Sequence, residues 1–237
     1  MNWDLTVLIE NAEKLHGKEQ KNLVIESSNS IIERQDYARF HYHEAVNIFN
    51  GYFENRKSLR ESMDLVFRTN APDYEAFDFI KKKTQAHIFG FMQSLHSVSD
   101  ILSHVIYYSL GLNFSHQSKI NIDYLTIHKL PKVLEEENTY HHLSSLIREL
   151  IENSEYKYLA DVVNHSKHRS IIEPFFNVNL KKSEGEHHEI KFRGFNFKGA
   201  THMPRLVFEF MEPEFDRQSQ LIIIIGNEIN KIVTEKC

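Results

Sequence analysis

The stretch Asp73–Leu110, DYEAFDFIKKKTQAHIFGFMQSLHSVSDILSHVIYYSL, decides the fold. Phe77, Ile80, Thr84, Ile88, Phe91, Leu95, Val98, Leu102, Val105 and Ser109 follow one another at steps of three and four. That spacing draws one stripe along an α-helix and matches no face of a strand. At 1.5 Å per residue the helix would be on the order of 55 Å long, a length suited to the spine of a bundle or to an element shared by a dimer. Gly111 and Asn113 supply its stop.

Toward the N-terminus the same period recurs. Asn2 to Leu15 reads as a short amphipathic helix interrupted by Gly17. Glu19 to Tyr52 reads as a long one, with Leu23, Ile31, Tyr37, Ala38, Tyr42, Ala45, Ile48, Phe49 and Tyr52 at an approximate helical period. Ser58 to Arg68 is a shorter piece stopped by Thr69-Asn70-Ala71-Pro72. Toward the C-terminus, Ser118 to Leu130 fits neither period. Pro131 suits the first turn of a helix reaching about Asn153, and Ser154 with Glu155 reads as the N-cap of the next. At Ile171 the period changes to two. Phe176, Val178 and Leu180 alternate, as do Ile190 and Phe192. Phe195 and Phe197 continue after a one-residue offset at Arg193-Gly194, and Leu206, Phe208 and Phe210 form a third run. Pro213 then opens a last helix to Val233. The expected architecture is mainly α: a single domain over 1–237, an elongated helical bundle with a three-stranded antiparallel β meander at about 172–211, inserted before the last helix.

Composition agrees with a globular protein. Among 237 residues 41% are hydrophobic and 26% charged, and the net charge of −5 argues against a strongly basic nucleic-acid coat protein while permitting a local basic groove. The one cysteine, Cys237, excludes an internal disulfide framework and a cysteine-based zinc site, and it fits a reducing cytoplasm. The N-terminal segment carries early acids and no apolar leader pattern. The longest strongly apolar run, Leu221–Ile225, is far short of the roughly 20 residues that a membrane helix needs. The expectation is a cytoplasmic protein with no membrane partner.

Chemistry concentrates in Tyr158–Ser170, YLADVVNHSKHRS. On a helix Asn164 and His168 stand one turn apart on the same side, with Lys167 beside them and Arg169 following. An imidazole can move a proton while two cations hold a phosphate and an amide orients either one. The competing account is a polar helix end, where cations oppose the negative end of the helix dipole.

A helical chain whose late helix carries this N-x-x-K-H-R segment, followed by a small strand insertion and one more helix, resembles the HEPN superfamily, and more narrowly its bacterial HEPN-like proteins. The likeness is specific over about Phe91 to Ile172 and general elsewhere. Active members carry an arginine, four to six residues and then a histidine near the start of a late helix. They dimerise so that two such motifs face one cleft, and they cut RNA without metal, many of them in phage-defence and toxin–antitoxin systems. The resemblance implies a homodimer directed at RNA, with His168 as the catalytic histidine. Asn164 stands where the family has arginine, so Lys167 or Arg169 would have to supply the cation. Arg34 and His41, in RQDYARFH, satisfy the literal spacing on an early helix; such a short pattern arises readily by chance, and the pair is kept as a reserve site.

The strand region adds Lys181, Lys182, Lys191, Arg193, Lys198 and Arg205 among phenylalanines. Basic residues alternating with aromatics suit single-stranded nucleic acid, and Lys191 and Arg193 are the nearest candidates to extend a phosphate groove. A one-sided sheet shows the same alternation. Of the 15 histidines only the His165/His168 pair has i, i+3 helical spacing, and no H-E-x-x-H pattern supplies further ligands, so no metal and no cofactor is expected. Three readings stand. The first is a HEPN-like RNA-directed protein, as a metal-independent endoribonuclease, with the Asn164–His168 face exposed. The second is a noncatalytic HEPN-like module for a protein partner, with Lys167 and His168 buried in structural hydrogen bonds. The third is a small-molecule or nucleotide-binding helical protein with a pocket near His104, Tyr107 and Tyr108.

Overall fold

The computed structural model describes residues 2–56, 58–68, 71–136 and 140–237. It is mainly α, with a small antiparallel sheet before the last helix. The helices are α1 (Leu5–His16), α2 (Lys18–Phe53), α3 (Leu59–Phe67), α4 (Ala71–Ser109), α5 (Leu130–Glu136), α6 (His141–Glu152), α7 (Ser154–His168) and α8 (Val207–Lys236). The strands are β1 (Pro174–Val178), β2 (His188–Phe192), β3 (Phe195–Phe197), β4 (Ala200–His202) and β5 (Arg205–Leu206). Contacts divide the chain into two compact units. One holds residues 2–36, 94–157 and 214–237; the other holds 37–93 and 158–213. The expected stop at Thr69-Asn70, and residues 137–139 of the helix expected over 131–153, lie outside the described residues.

In the first unit, α1 starts where the Asp4 carboxylate accepts from the backbone N–H groups of Thr6 (3.0 Å) and Val7 (3.2 Å), and it ends at Gly17, whose φ of +87° suits glycine. It is tied to α8 by Asn11 donating to the Thr234 hydroxyl (3.0 Å) and by Asn230 donating to the Asp4 carbonyl (2.7 Å). Trp3 lies over Gly226 so closely that a Cβ there would come within 2.2 Å of its ring. The part of α4 in this unit buries Leu95, Val98, Leu102 and Val105, the expected stripe. Ser118–Lys129 is irregular except for one 3₁₀ turn at Ile122–Tyr124, and Leu130 already belongs to α5. The cap of α7 is Asn153, not Ser154: its side-chain oxygen accepts from the Glu155 N–H at 2.8 Å.

The second unit carries the strands. Sheet order is β1-β2-β5, all antiparallel, with Phe176 opposite Ile190 and Lys191 opposite Leu206. The sheet is fastened to α2 and α4 by rings. Phe176 stacks on Phe53 (5.2 Å, 7°) and meets Phe77 edge-on (5.0 Å), and Phe49 packs near Phe176 and Phe208.

Two details differ from the expected meander. Phe195 and Phe197 do not extend β2 past a bulge. They start a separate hairpin, β3–β4, because at Gly194 the chain passes so close to the His202 carbonyl that a Cβ would lie 2.9 Å from it. The hairpin closes through Lys198 (φ +46°) and Gly199 (φ +86°), the left-handed pair that a two-residue turn uses. The third run stops as a strand at Leu206, and Phe208 and Phe210 belong to α8, which passes through Pro213. Leu206, Phe208 and Phe210 alternate, but Val207, Phe210, Met211 and Glu214 also step by three and four. The helix buries all four of the latter.

Candidate functional site

The last turns of α7 run beneath the β3–β4 hairpin, within the second unit. One side of α7 carries Tyr158, Asp161 and His165 at steps of three and four, and these meet the hairpin. Tyr158 contacts Phe195 (5.9 Å) and His202 (5.3 Å), and His165 contacts Phe195 and Phe197 (5.6 Å each). Phe195 thus touches both His165 and His202, the latter stacked on it at 4.5 Å and 29°. The Asp161 carboxylate lies 2.8 Å from His202 Nε2, a carboxylate–imidazole pair joining helix to hairpin. No sequence pattern signals this pair, because 41 residues separate its members.

The neighbouring side of α7 carries the residues read from sequence. Asn164 is half-buried; Lys167, His168 and Arg169 are exposed. Among the described residues Asn164, Lys167 and His168 make no hydrogen bond or ion pair. The helix end is closed without them: the backbone N–H groups of Arg169 (2.9 Å) and Ser170 (3.2 Å) both donate to the His165 carbonyl, and His165 Nδ1 meets the Ser170 carbonyl at 2.7 Å. The Arg169 guanidinium sits 5.0 Å from the centroid of Phe197, and Lys198 Nζ lies 5.3 Å from the same ring. The hairpin tip therefore brings a further cation, Lys198, to the end of α7. The helix end itself carries roughly half a negative charge. Lys167, Arg169 and Lys198 outweigh it and leave a net positive, solvent-facing patch beside an imidazole and an amide.

The other residues read as contacts lie elsewhere. Lys191 is tied to Glu189 at 3.0 Å. Glu189 is 5% exposed, and burial pushes its pKa upward. Hydrogen bonds from Asn179, Lys191, Lys182 and Asn177 outweigh that and hold it at about 2. Arg193 borders a cleft formed with α3, α4 and β1. Of the reserve pair, Arg34 is exposed on α2, whereas His41 turns its Nδ1 toward Nδ1 of His87 at 3.0 Å, across Gly90. Burial lowers the His41 pKa, and the neighbouring His87 lowers it further.

His187 and His188 leave the helical geometry of the other pairs. Both Nε2 atoms meet the buried Ser62 hydroxyl, at 2.8 and 2.7 Å. Ser62 donates to the Ser58 carbonyl (3.1 Å), and the Gly185 N–H donates to His187 Nδ1 (3.3 Å). His187 Nδ1 also lies 3.4 Å from the Ser183 carbonyl, so the Ser62 hydroxyl is shared among the Ser58 carbonyl and two imidazoles whose donor and acceptor roles follow their tautomers. Among the described residues no group of three histidine, cysteine or carboxylate side chains is arranged to hold a metal ion, and no helix is long and apolar enough to cross a membrane. Tyr107, in the third reading's pocket, is 2% exposed, and its hydroxyl is spent on the backbone of Ile120. No known family model, curated protein or solved structure matches the chain.

Proposed function

We propose that this protein is a HEPN-like, RNA-directed protein that binds a phosphodiester at the end of α7 and cleaves it without a metal ion. The observation that carries this reading is the state of Lys167 and His168. Both are exposed and unbonded among the described residues, where a structural role would have consumed their polar atoms. Lys167, Arg169 and Lys198 hold the phosphate, and the Asn164 amide donates to one of its oxygens. His168 accepts the proton of the ribose 2′-hydroxyl as that oxygen attacks the adjacent phosphorus. The bond to the 5′-oxygen breaks, and the departing oxygen takes a proton from water, leaving 2′,3′-cyclic phosphate and 5′-hydroxyl ends. By the same resemblance the protein acts as a homodimer in a defence or toxin–antitoxin system.

A noncatalytic HEPN-like module has one observation on its side: Asn164, a neutral amide, stands where the resemblance expects a cation. One experiment separates the two. Purified protein is incubated with a mixed RNA pool in excess chelator, wild type beside His168→Ala. Cleavage by the wild type alone, with cyclic phosphate ends, supports the nuclease. RNA retained by both proteins but cut by neither ends the nuclease reading in favour of the module.

A further inference from the structure

A cleft of about 410 Å³ opens in the second unit between the end of α3, the start of α4 and β1. The size suits one small ligand or one residue of a polymer. Its polar lining is unusual in pairing each guanidinium with a ring. Arg68 lies 4.7 Å from the centroid of Tyr74, and Arg193 lies 5.6 Å from that of Phe175. Among the described residues neither arginine has a carboxylate partner. Arg68 also holds a left-handed backbone (φ +56°, ψ +36°) at the end of α3, a position that favours glycine or asparagine. Lys81 borders the same space, sharing Asp78 with Lys82 at 2.9 and 2.7 Å, and Glu173 is the one carboxylate in the cleft's described lining. Three cations, Arg68, Lys81 and Arg193, thus face one carboxylate in the described lining, and the excess is positive. The adjoining cleft beyond Leu65 sets Glu61, Asp64 and Asp73 against a single cation, Arg56, in its described lining.

We propose that this cleft binds one nucleotide unit of single-stranded RNA, the phosphate on Arg68 and Arg193 and the base against the Tyr74 and Phe175 rings. The inference rests on the RNA-directed reading above and gives it a second contact, separate from the α7 patch. Guanidinium groups stacked on rings are pre-set for two-pronged phosphate contact, and their planes and the rings offer flat surfaces to a base. A simple anion would need no aromatic rings, and an apolar ligand would make no use of the two exposed guanidinium groups. The acidic neighbour repels a phosphate chain and so limits the directions in which a bound strand can leave.

The test uses the full chain and two probes: a fluorescein-labelled single-stranded RNA octamer, followed by anisotropy across a salt series, and adenosine 5′-monophosphate, followed by calorimetry. Arg68→Ala and Arg193→Ala are each expected to weaken octamer binding on the order of tenfold and to lower the salt slope by about 1. Tyr74→Leu is expected to weaken binding while leaving the slope unchanged, because stacking releases no counterions. Circular dichroism verifies that each variant is folded. Octamer binding that depends on Lys167 and Arg169 but not on Arg68 or Arg193 overturns the cleft and leaves the α7 reading in place. Monophosphate binding that depends on Arg68 and Arg193, with no octamer binding, makes the ligand a free nucleotide and overturns both the strand and the RNA reading. Binding of neither probe by the wild type also overturns the inference.

Discussion

Glu189→Gln is expected to destabilise the protein by about 2 kcal/mol at pH 7, and the loss should fade in acid. Glu189 accepts from Asn177 (2.9 Å), Asn179 (2.7 Å), Lys182 (3.2 Å) and Lys191 (3.0 Å), with only 4% of its side chain exposed. These contacts hold its pKa at about 2 against an ordinary 4.5, although burial alone would raise it. At about 1.4 kcal/mol per unit, the depression is worth roughly 3.4 kcal/mol. The Lys182 side chain is 43% exposed and that of Lys191 28%, so solvent screens part of the attraction, and about 2 kcal/mol is the working value. Glutamine keeps the shape and one acceptor but cannot pair both lysines. A depressed carboxyl pKa gives stability that is fully present above pH 4.5 and is lost as pH falls toward 2. The assay is urea unfolding of wild type and variant at pH 7, 5, 4 and 3.5. The difference should be constant from pH 7 to about pH 5 and shrink below that. A variant within about 0.5 kcal/mol of wild type at pH 7, or a gap that does not narrow by pH 3.5, would refute the reasoning.

The opposite group type gives a second pH window. Burial, with His187 beside it, lowers the His188 pKa from 6.5 to about 4. The unfolded chain therefore takes up the proton first, and stability should fall as pH drops from 6.5 to 4, by at most about 3.4 kcal/mol and roughly half that after screening. His188→Phe, which continues the stack on Phe53, should flatten that part of the urea-stability profile. Gly226→Ala places a methyl 2.2 Å from the Trp3 ring and should cost about 1–3 kcal/mol. Trp3 is the single tryptophan, so a shifted emission maximum reports the displaced ring directly, and an unchanged spectrum would count against the contact. Lys167→Ala and Arg169→Ala should each lower the salt slope of RNA binding by about 1, equally across RNA sequences, as phosphate contacts do.

The helical frame was legible because its signal is local. The stripe from Phe77 to Ser109 repeats over many turns, Gly17 marks a stop by its left-handed backbone, and Asn164, Lys167 and His168 sit together because one helix spaces them. The start of α8 was not legible. Phe208 and Phe210 fit a period of two, and Val207, Phe210 and Met211 fit a helix, so short runs of this kind are decided by what they pack against. The bulge expected at Arg193-Gly194 failed for a related reason. The chain crosses its own later segment at His202, a contact that no window of neighbouring residues contains.

The sequence by itself determined the mainly helical class, the insertion of strands before the last helix and the residue types at the end of α7. Periodicity and composition act between residues a few positions apart, so they can be read in order. Tertiary structure alone decided which charged groups are engaged and which face solvent. His202 meets Asp161 from 41 residues away, Gln85 reaches Glu173, and Arg193 joins Arg68 at one cleft, while Lys167 and His168 remain unbonded among the described residues. Hydrogen bonds and ion pairs need contact within a few ångströms, and only the folded chain brings such distant positions that close.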